Sequence, residues 1–185
     1  MDSRAAEMEL LDLGTLHRET ELHRKVVDAL ALAASVTLER VRGEGVADPA
    51  LADFGGGIEA AYSLTRVGLD DGARLAFGDA DEATEWGAAG VAVGIVHRLL
   101  RRRVFCRLPK GTGADYLMRS SDVLAGDAFE RLEVTGISRG DETAGTRLRE
   151  KVRRLALHPD AGVGWAVVTR FHGATVEVRG ERWPQ

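Results

Sequence analysis

The chain predicts an α/β fold, a central sheet flanked by helices. Three short runs rich in β-branched, aromatic and aliphatic residues lie at 103–108, 113–119 and 129–137, separated by Gly, Pro, Asp and Ser. Such runs are typical of three strands in a meander. A run of small and apolar residues precedes them, and an Arg-rich amphipathic run and an apolar run follow. The predicted order is therefore helix, strand, strand, strand, helix, strand.

The first helix of this core is expected over 82–100, capped by Asp79 or Asp81. Acidic residues near its start and basic residues near its end suit the helix macrodipole. Its middle is made of small and apolar residues, with glycines three and four positions apart. This composition predicts a helix that packs closely against the sheet.

The C-terminal part of the core is predicted from periodicity. An apolar stripe with arginines and a lysine around it indicates a helix over 144–157, ended by residues 158–162. The run 163–170 predicts the last core strand. Alternation over 174–179 predicts an edge strand that forms a hairpin with it.

The segment 1–78 is expected to be an N-terminal helical extension of the 79–185 core. Apolar residues three and four apart predict a helix over 8–42, broken near Gly14. Its long apolar stripe and charged polar face predict a role in packing or in a homodimer. We expect this helix to pack outside the core.

Between that helix and the core the sequence is less regular. Asp48 and Pro49 favour the start of a further helical turn, since proline suits the first helical position. Residues 55–57 are three glycines without the context of a phosphate-binding loop, which indicates a linker. Residues 58–67 fit either a helix or a strand, and 73–77 indicates a short strand.

Length and composition are compatible with one domain over 1–185. The single cysteine, Cys106, excludes a disulfide within the chain and a cysteine-rich zinc site. Neither a secretory signal nor an apolar run of about 18 residues is present. We therefore expect a cytoplasmic, soluble protein without a membrane partner.

The net charge of −4 conceals an uneven distribution. Residues 1–96 carry 18 acidic and 8 basic side chains, whereas residues 97–157 carry 14 basic and 8 acidic ones. A basic segment on an acidic protein can mark a polyanionic partner or can be the solvated side of Arg-rich helices. The basic segment coincides with the predicted meander.

Two acidic residues stand out because they lie in predicted strands rather than at caps or turns. Asp115 is at the start of the second strand and Glu133 is inside the third. Alternation places Glu133 with Arg131 and Thr135 on one face, and Leu132, Val134 and Ile137 on the other. Glu130, at the beginning of the same strand, is expected to be a surface residue.

The order of elements and these two acids resemble the PD-(D/E)XK nuclease superfamily, which has the restriction-endonuclease-like fold. The resemblance covers roughly residues 82–171. It implies that Asp115 and Glu133 bind a divalent metal, normally Mg²⁺, beside the scissile phosphate. Independently of the family, Mg²⁺ prefers carboxylate oxygens and retained waters, and it can neutralise charge that develops on a phosphate.

The chain departs from the family motif at its lysine. Thr135 stands two residues after Glu133, where the family has lysine, and no Pro-Asp pair precedes the second strand. Lys110, or Lys151 on the following helix, could supply the missing ammonium. Glu82 or Glu85 could supply a third carboxylate, although charges that favour a helix N-terminus explain them equally well.

The resemblance implies a metal-dependent nuclease or a catalytically degenerate relative that binds DNA or RNA. Asp115 and Glu133 would be catalytic metal ligands and Lys110 would assist. The candidate phosphate contacts are Arg103, Arg107, Arg147, Arg149 and Arg153.

Two other functions remain open at this point. The acidic 1–96 segment fits a non-enzymatic interaction subunit or an immunity-type protein with a basic partner. Gly111 and Gly113 fit a small-molecule-binding α/β domain. If Glu133 is structural, we expect it to pair with an arginine such as Arg107 or Arg119 across the sheet.

Overall fold

The computed structural model describes residues 9–45, 47–53, 59–122, 129–139, 143–157, 162–173 and 175–182. Its elements are β1 (Glu9–Asp12), a 3-10 helix (Leu13–Arg18), α1 (Arg24–Arg42), β2 (Ala47–Asp53), β3 (Glu59–Thr65), α2 (Asp71–Ala76), α3 (Ala80–Leu100), β4 (Arg102–Arg107), β5 (Tyr116–Ser120), β6 (Glu130–Ile137), α4 (Ala144–Ala156), β7 (Val163–Arg170) and β8 (Thr175–Arg182).

The α/β class is confirmed. Within the described ranges, eight strands form one sheet in the order β1-β3-β2-β8-β7-β6-β5-β4. β4, β5 and β6 form an antiparallel meander, and β6 and β7 are parallel. The elements from α3 to β7 follow the predicted order. The largest shift within the meander is the start of β5, which begins at Tyr116 rather than at residue 113.

The helix α3 packs against both α1 and the sheet through glycine. The Asp79 carboxylate caps it by accepting the N–H groups of Asp81 and Glu82, each at 2.9 Å. A Cβ on Gly87 would lie 2.9 Å from the Ala34 Cα on α1. A Cβ on Gly136 of β6 would lie 2.6 Å from the Thr84 carbonyl oxygen on α3. Glycine is therefore needed at both contacts because backbone atoms occupy the space.

The helix α4 covers the opposite face of β6, β7 and β8. Its buried residues Leu148, Val152 and Leu155 belong to a second apolar cluster with Ala166 and Val168 of β7. Ile137 packs in this cluster too, so its expected position on the face opposite Glu133 was wrong. Strict alternation along β6 puts residues 133, 135 and 137 on one face.

The segment 1–78 was expected to be a helical extension outside the 79–185 core, and the structure corrects this expectation. That segment contributes β1, β2 and β3 to the same sheet as the core. Residues 9–12 form a strand parallel to β3, and the helix starts at Arg24. The apolar side of α1 is buried and packs against α3, within the chain.

Proline misled the assignment at 48–49. Pro49 lies in β2 opposite Ser63 of β3, while the pairing of β2 with β8 begins only at Leu51. A proline is tolerated there because the N–H that it lacks would point to the β8 side of β2, and the pairing with β8 does not extend to residue 49. The expected linker at 55–57 lies outside the described residues, as does the predicted end of α4 at 158–161.

Two further assignments in this part of the chain are settled by the structure. Residues 59–65 form a strand rather than a helix. Residues 73–77, expected to be a strand, belong mainly to α2. The Asp70 carboxylate accepts the Ala73 N–H at 2.7 Å and begins α2, and this capping aspartate was the signal that indicated a helix.

β8 is an interior strand, which corrects the prediction of an edge strand. It pairs antiparallel with β7, as the hairpin prediction required, and parallel with β2 on its other side. The edge strands of the described sheet are β1 and β4. At β4 the Thr20 hydroxyl and the Glu21 N–H both donate to the Val104 carbonyl. None of the helices in the described ranges combines the length and apolar content needed to cross a membrane.

Candidate functional site

A cleft of about 500 Å³ opens at the end of the meander, between the beginning of α3 and the middle of α4. It is formed by the β4–β5 loop, the ends of both strands and β6. Its lining includes seven ionisable carboxylate or cationic side chains, namely Glu85, Arg107, Lys110, Asp115, Glu133, Lys151 and Arg154.

The β4–β5 loop forms one rim of the cleft. Gly111 and Gly113 have φ angles of 92° and 79°, which are favourable only for glycine. The Thr112 hydroxyl donates to the Pro109 carbonyl at 2.8 Å and closes the turn. This conformation turns the chain from β4 into β5, and it places Asp115 immediately before β5 and next to β6.

Asp115 is fixed to β6 by backbone and side chain. Its N–H donates to the Leu132 carbonyl at 3.0 Å, and its Oδ2 accepts the Val134 N–H at 2.8 Å. Tyr116 is opposite Leu132 in the antiparallel register. The Asp115 carboxyl is close enough to that of Glu133 to raise its pKa. The two predicted acids therefore lie side by side on neighbouring strands.

Glu133 is buried, with 1% of its surface exposed. Its Oε2 accepts a hydrogen bond from the Lys151 Nζ at 2.7 Å, and its Oε1 lies 3.7 Å from the Arg154 Nη1. Both cations come from α4. The structural alternative, which paired Glu133 with Arg107 or Arg119, was wrong in its partners because the side chain points toward α4 and not toward β4.

The environment of Glu133 shifts the pKa of its carboxyl upward. Burial raises the pKa of the Glu133 carboxyl above its usual 4.5, the Lys151 ammonium opposes this, and the Asp115 carboxyl raises the pKa further. The net direction is upward. Two neighbouring carboxyls disfavour the ionisation of both groups together, so a cation between them would stabilise the pair.

Of the two lysines considered from the sequence, Lys151 is the one in contact with an acid. Its side chain is only 13% exposed. Lys110 lines the cleft from the loop and is exposed, and Thr135 lines it from the position of the motif lysine. The sequence signal for Lys151 was its place next to buried Val152 on an otherwise Arg-rich helix.

The opposite wall of the cleft is aromatic. The guanidinium carbon of Arg107 lies 5.0 Å from the centre of the Trp86 ring, which is a cation–π geometry. Tyr116 also lines this wall, and burial raises the pKa of its phenol. Glu85 stands at the rim, whereas Glu82, the other candidate for a third carboxylate, is not part of the lining.

The predicted phosphate contacts do not converge on the cleft. Only Arg107 lines it. Arg103 lies on β4 opposite Arg119, and Arg147, Arg149 and Arg153 lie on α4 outside the lining. Arg154, which the sequence did not single out, does line it.

Glu130 is buried, contrary to the expectation of a surface residue. It is 8% exposed and accepts hydrogen bonds from Arg102 Nε at 2.9 Å and Trp165 Nε1 at 2.7 Å. Both oxygens are therefore satisfied by structural partners. Burial at the start of β6 was hidden from the sequence because both partners are distant in the chain.

The donor set of the cleft consists of few carboxylates. Among the described residues, no group of three or more His, Cys, Asp and Glu side chains is arranged to hold an ion. Mg²⁺ commonly binds through one or two protein carboxylates together with waters and substrate phosphates. The neighbouring carboxylates of Asp115 and Glu133 fit that mode.

Comparisons of the chain with protein-family models, curated proteins and solved structures found no match.

Proposed function

We propose that the protein is a Mg²⁺-dependent phosphodiester hydrolase that acts on nucleic acid. The observation that carries this proposal is the acid pair Asp115–Glu133 with the Lys151 ammonium 2.7 Å from Glu133, inside a cleft rimmed by cationic side chains. The two carboxylates would hold a divalent cation, and the cationic rim is suited to a substrate that is itself an anion.

The proposed fold relationship is with restriction-endonuclease-like nucleases. Three observations support it: the order α3-β4-β5-β6-α4-β7, the antiparallel pairing through β4, β5 and β6, and the parallel pairing of β6 with β7. Asp115 stands immediately before β5 and Glu133 lies inside β6, close to the positions that the resemblance implies. Lys151 would replace the motif lysine, in place of Lys110.

In this proposal Asp115 and Glu133 would hold Mg²⁺, which when bound neutralises charge on the phosphate and activates water. The chain itself positions these ligands. The Val134 N–H fixes the Asp115 carboxylate, and the Lys151 ammonium stabilises Glu133 as an anion despite its burial. Arg107, Lys110 and Arg154 would orient the phosphates at the rim.

The test is Mg²⁺-dependent cleavage of a labelled oligonucleotide by the purified protein. We expect Asp115→Asn and Glu133→Gln each to lower the rate by at least about 100-fold, because each removes an anionic ligand while keeping a hydrogen-bonding side chain. Glu150→Gln is the matched control, since Glu150 is exposed on α4 and lies outside the cleft lining. Absence of cleavage by the wild type, or an equal loss in the control, contradicts the proposal.

The same assay separates the two lysines. Lys151→Met is expected to lower the rate strongly, and Lys110→Met, at an exposed position on the loop, only mildly. The reverse result would return the assisting role to Lys110. Melting temperatures of both variants identify losses that come from unfolding.

One observation favours a second candidate, a nuclease-like protein that binds nucleic acid without cleaving it. Both Glu133 oxygens already face cations of the chain, Lys151 at 2.7 Å and Arg154 at 3.7 Å. These side chains could neutralise the acid pair in place of a metal. The two candidates differ in thermal stability with MgCl₂: a hydrolase gains stability that Asp115→Asn abolishes, and the non-catalytic protein does not.

A further inference from the structure

A cluster of aromatic and arginine side chains lies on β4, on β5 and just before β6, outside the cleft lining. The rings of Phe105 and Phe129 are 5.2 Å apart between centroids and tilted by 43°. The guanidinium carbon of Arg119 lies 5.5 Å from the centre of the Phe105 ring. We define Phe105, Phe129, Arg103 and Arg119 as the aromatic–arginine patch.

The patch is accessible to a large ligand. Phe129 is 45% exposed, and the Arg119 side chain is 42% exposed. Val104 and Met118, which alternate with patch residues along β4 and β5, are fully buried on the side of α3. The main contacts of α4 are with β6, β7 and β8. The Phe105 and Phe129 rings therefore lie on the face of the sheet opposite α3, next to the strands that α4 does not cover.

A β-bulge helps to place Phe105 there. Val104 pairs with Met118 and Cys106 pairs with Leu117, so Phe105 is the extra residue of β4. A bulge re-aims the side chain at an edge strand and often occurs next to functional sites. The bulge lies two residues before Arg107, whose side chain enters the cleft.

The charges of the patch are only partly balanced within the chain. Arg103 and Arg119 are directly opposite in the antiparallel register, where like charges repel. Glu21 already pairs with Arg119, since its Oε1 accepts a hydrogen bond from the Arg119 Nε at 3.1 Å and its Oε2 accepts one from Nη2. A polyanion would complement Arg103 and would share Arg119 with Glu21. The exposed Phe129 ring and the half-buried Phe105 ring add a surface on which flat groups can stack.

The same hairpin connects the patch to the acid pair. Asp115 precedes β5 and Arg119 is four residues further along it, a separation of about 13 Å in an extended strand. This corresponds to roughly four stacked nucleotides at 3.4 Å each. A strand with a phosphate at Asp115 could therefore reach the patch with a base about four nucleotides away.

From these contacts we propose that the aromatic–arginine patch binds an unpaired segment of nucleic acid that flanks the cleft. A base stacks on Phe105 and Phe129, and Arg103 and Arg119 contact phosphates. Bases within a duplex are already stacked on one another and do not offer a free face, so the patch selects single-stranded substrate. This inference rests on the proposed function and specifies its substrate class.

The test measures binding without cleavage. A dye-labelled single-stranded oligonucleotide and a duplex of the same sequence are titrated into the Asp115→Asn protein without Mg²⁺. Base–aromatic stacking is worth about 1–3 kcal/mol per base. Phe105→Leu and Phe129→Leu, which keep apolar volume but remove the ring, are each expected to weaken single-strand binding at least about fivefold. Duplex binding should change less than twofold.

The control is Leu75→Ala, which removes an 80% exposed apolar side chain on α2 and should leave both affinities unchanged. If the two Phe→Leu proteins melt like their parent and bind the single strand equally well, the inference is overturned, including the case in which the patch serves an acidic protein. An equal loss on single strand and duplex also overturns it. Because no cleavage is measured, these outcomes are independent of whether the wild type hydrolyses phosphodiesters.

Discussion

At the scale of single residues, the site depends on a carboxylate that is costly to bury. Glu133 has almost no exposed surface and stands beside a second acid, and Lys151 lies within hydrogen-bond distance. An isolated buried charge would cost several kcal/mol. The ammonium reduces this cost without removing it, since the pKa of Glu133 remains raised.

The raised pKa has a direct consequence for stability. The unfolded chain releases the Glu133 proton near pH 4.5, whereas the folded protein releases it at higher pH. The contribution of this carboxyl to folding is therefore complete below pH 4.5 and is lost as the pH rises through the raised pKa. We expect the stability of Glu133→Gln relative to wild type to increase over this window, measured by urea unfolding from pH 4 to pH 8.

Glu133→Gln also loses the contact with Lys151, which shifts its free energy of unfolding at every pH. The quantity to compare is therefore the slope, against pH, of the stability difference between variant and wild type. Glu150→Gln, at an exposed position on the same helix as Lys151, is the control variant. A flat difference for Glu133→Gln would mean that the carboxyl titrates normally in the folded protein.

At the scale of elements, α3 depends on glycine for its contact with α1. The glycines of α3 weaken its intrinsic helix propensity by about 1 kcal/mol each. In return, the backbone of α1 approaches within a distance that no side chain would allow, as at Gly87 and Ala34. Small residues in this helix were correctly predicted to permit close packing, although the neighbour at Gly87 is α1 rather than the sheet.

We expect Gly87→Ala to destabilise the protein by about 1–3 kcal/mol, because the added Cβ would lie 2.9 Å from the Ala34 Cα and backbone must shift. The measurement is urea unfolding at neutral pH. Gly145→Ala in α4 is the matched control, since the nearest atom to its Cβ would be 3.9 Å away. That control should gain up to about 1 kcal/mol from helix propensity. A Gly87→Ala protein as stable as wild type would refute the packing argument.

At the scale of the whole molecule, the acidic and basic residues are concentrated in different segments of the sequence, but these segments fold into the same sheet. The acidic 1–96 segment and the basic 97–157 segment both contribute strands to one sheet. Arg103, Arg107 and Arg154 come from β4 and α4, while Glu21, in the acidic segment, reaches across to Arg119. The acidic segment thus also limits where a polyanion can bind.

Binding of nucleic acid should therefore depend steeply on salt. For about six phosphate contacts, affinity is expected to fall about 10³-fold or more between 50 and 200 mM salt. Arg103→Ala and Arg107→Ala should each reduce the slope of log affinity against log salt by about one. Arg24→Ala on α1, where the side chain is 74% exposed and near Asp28, should not change it. Salt-independent binding would exclude the arginines as phosphate contacts.

The sequence by itself determined the elements whose signal is local. Periodicity and capping residues placed α3, α4 and β7 closely, and Asp115 and Glu133 stood out because carboxylates are unusual inside strands. Local patterns failed where a distant partner decides the outcome. Pro49 has the local preference of a helix start, but in the structure it pairs with β3. The local pattern of β8 indicates an edge strand, but β2 pairs with its other side.

Only the tertiary structure decided which groups meet. Periodicity along one element fixes which face a side chain occupies but contains no information about the element that covers that face. Glu133 could therefore be placed on a face of β6, but its partners Lys151 and Arg154 were fixed by the packing of α4 across β6 and β7. The contact of Gly136 with α3 has the same origin. Local residue patterns determined the helices and strands, and packing between residues distant in the chain determined the contacts between those elements.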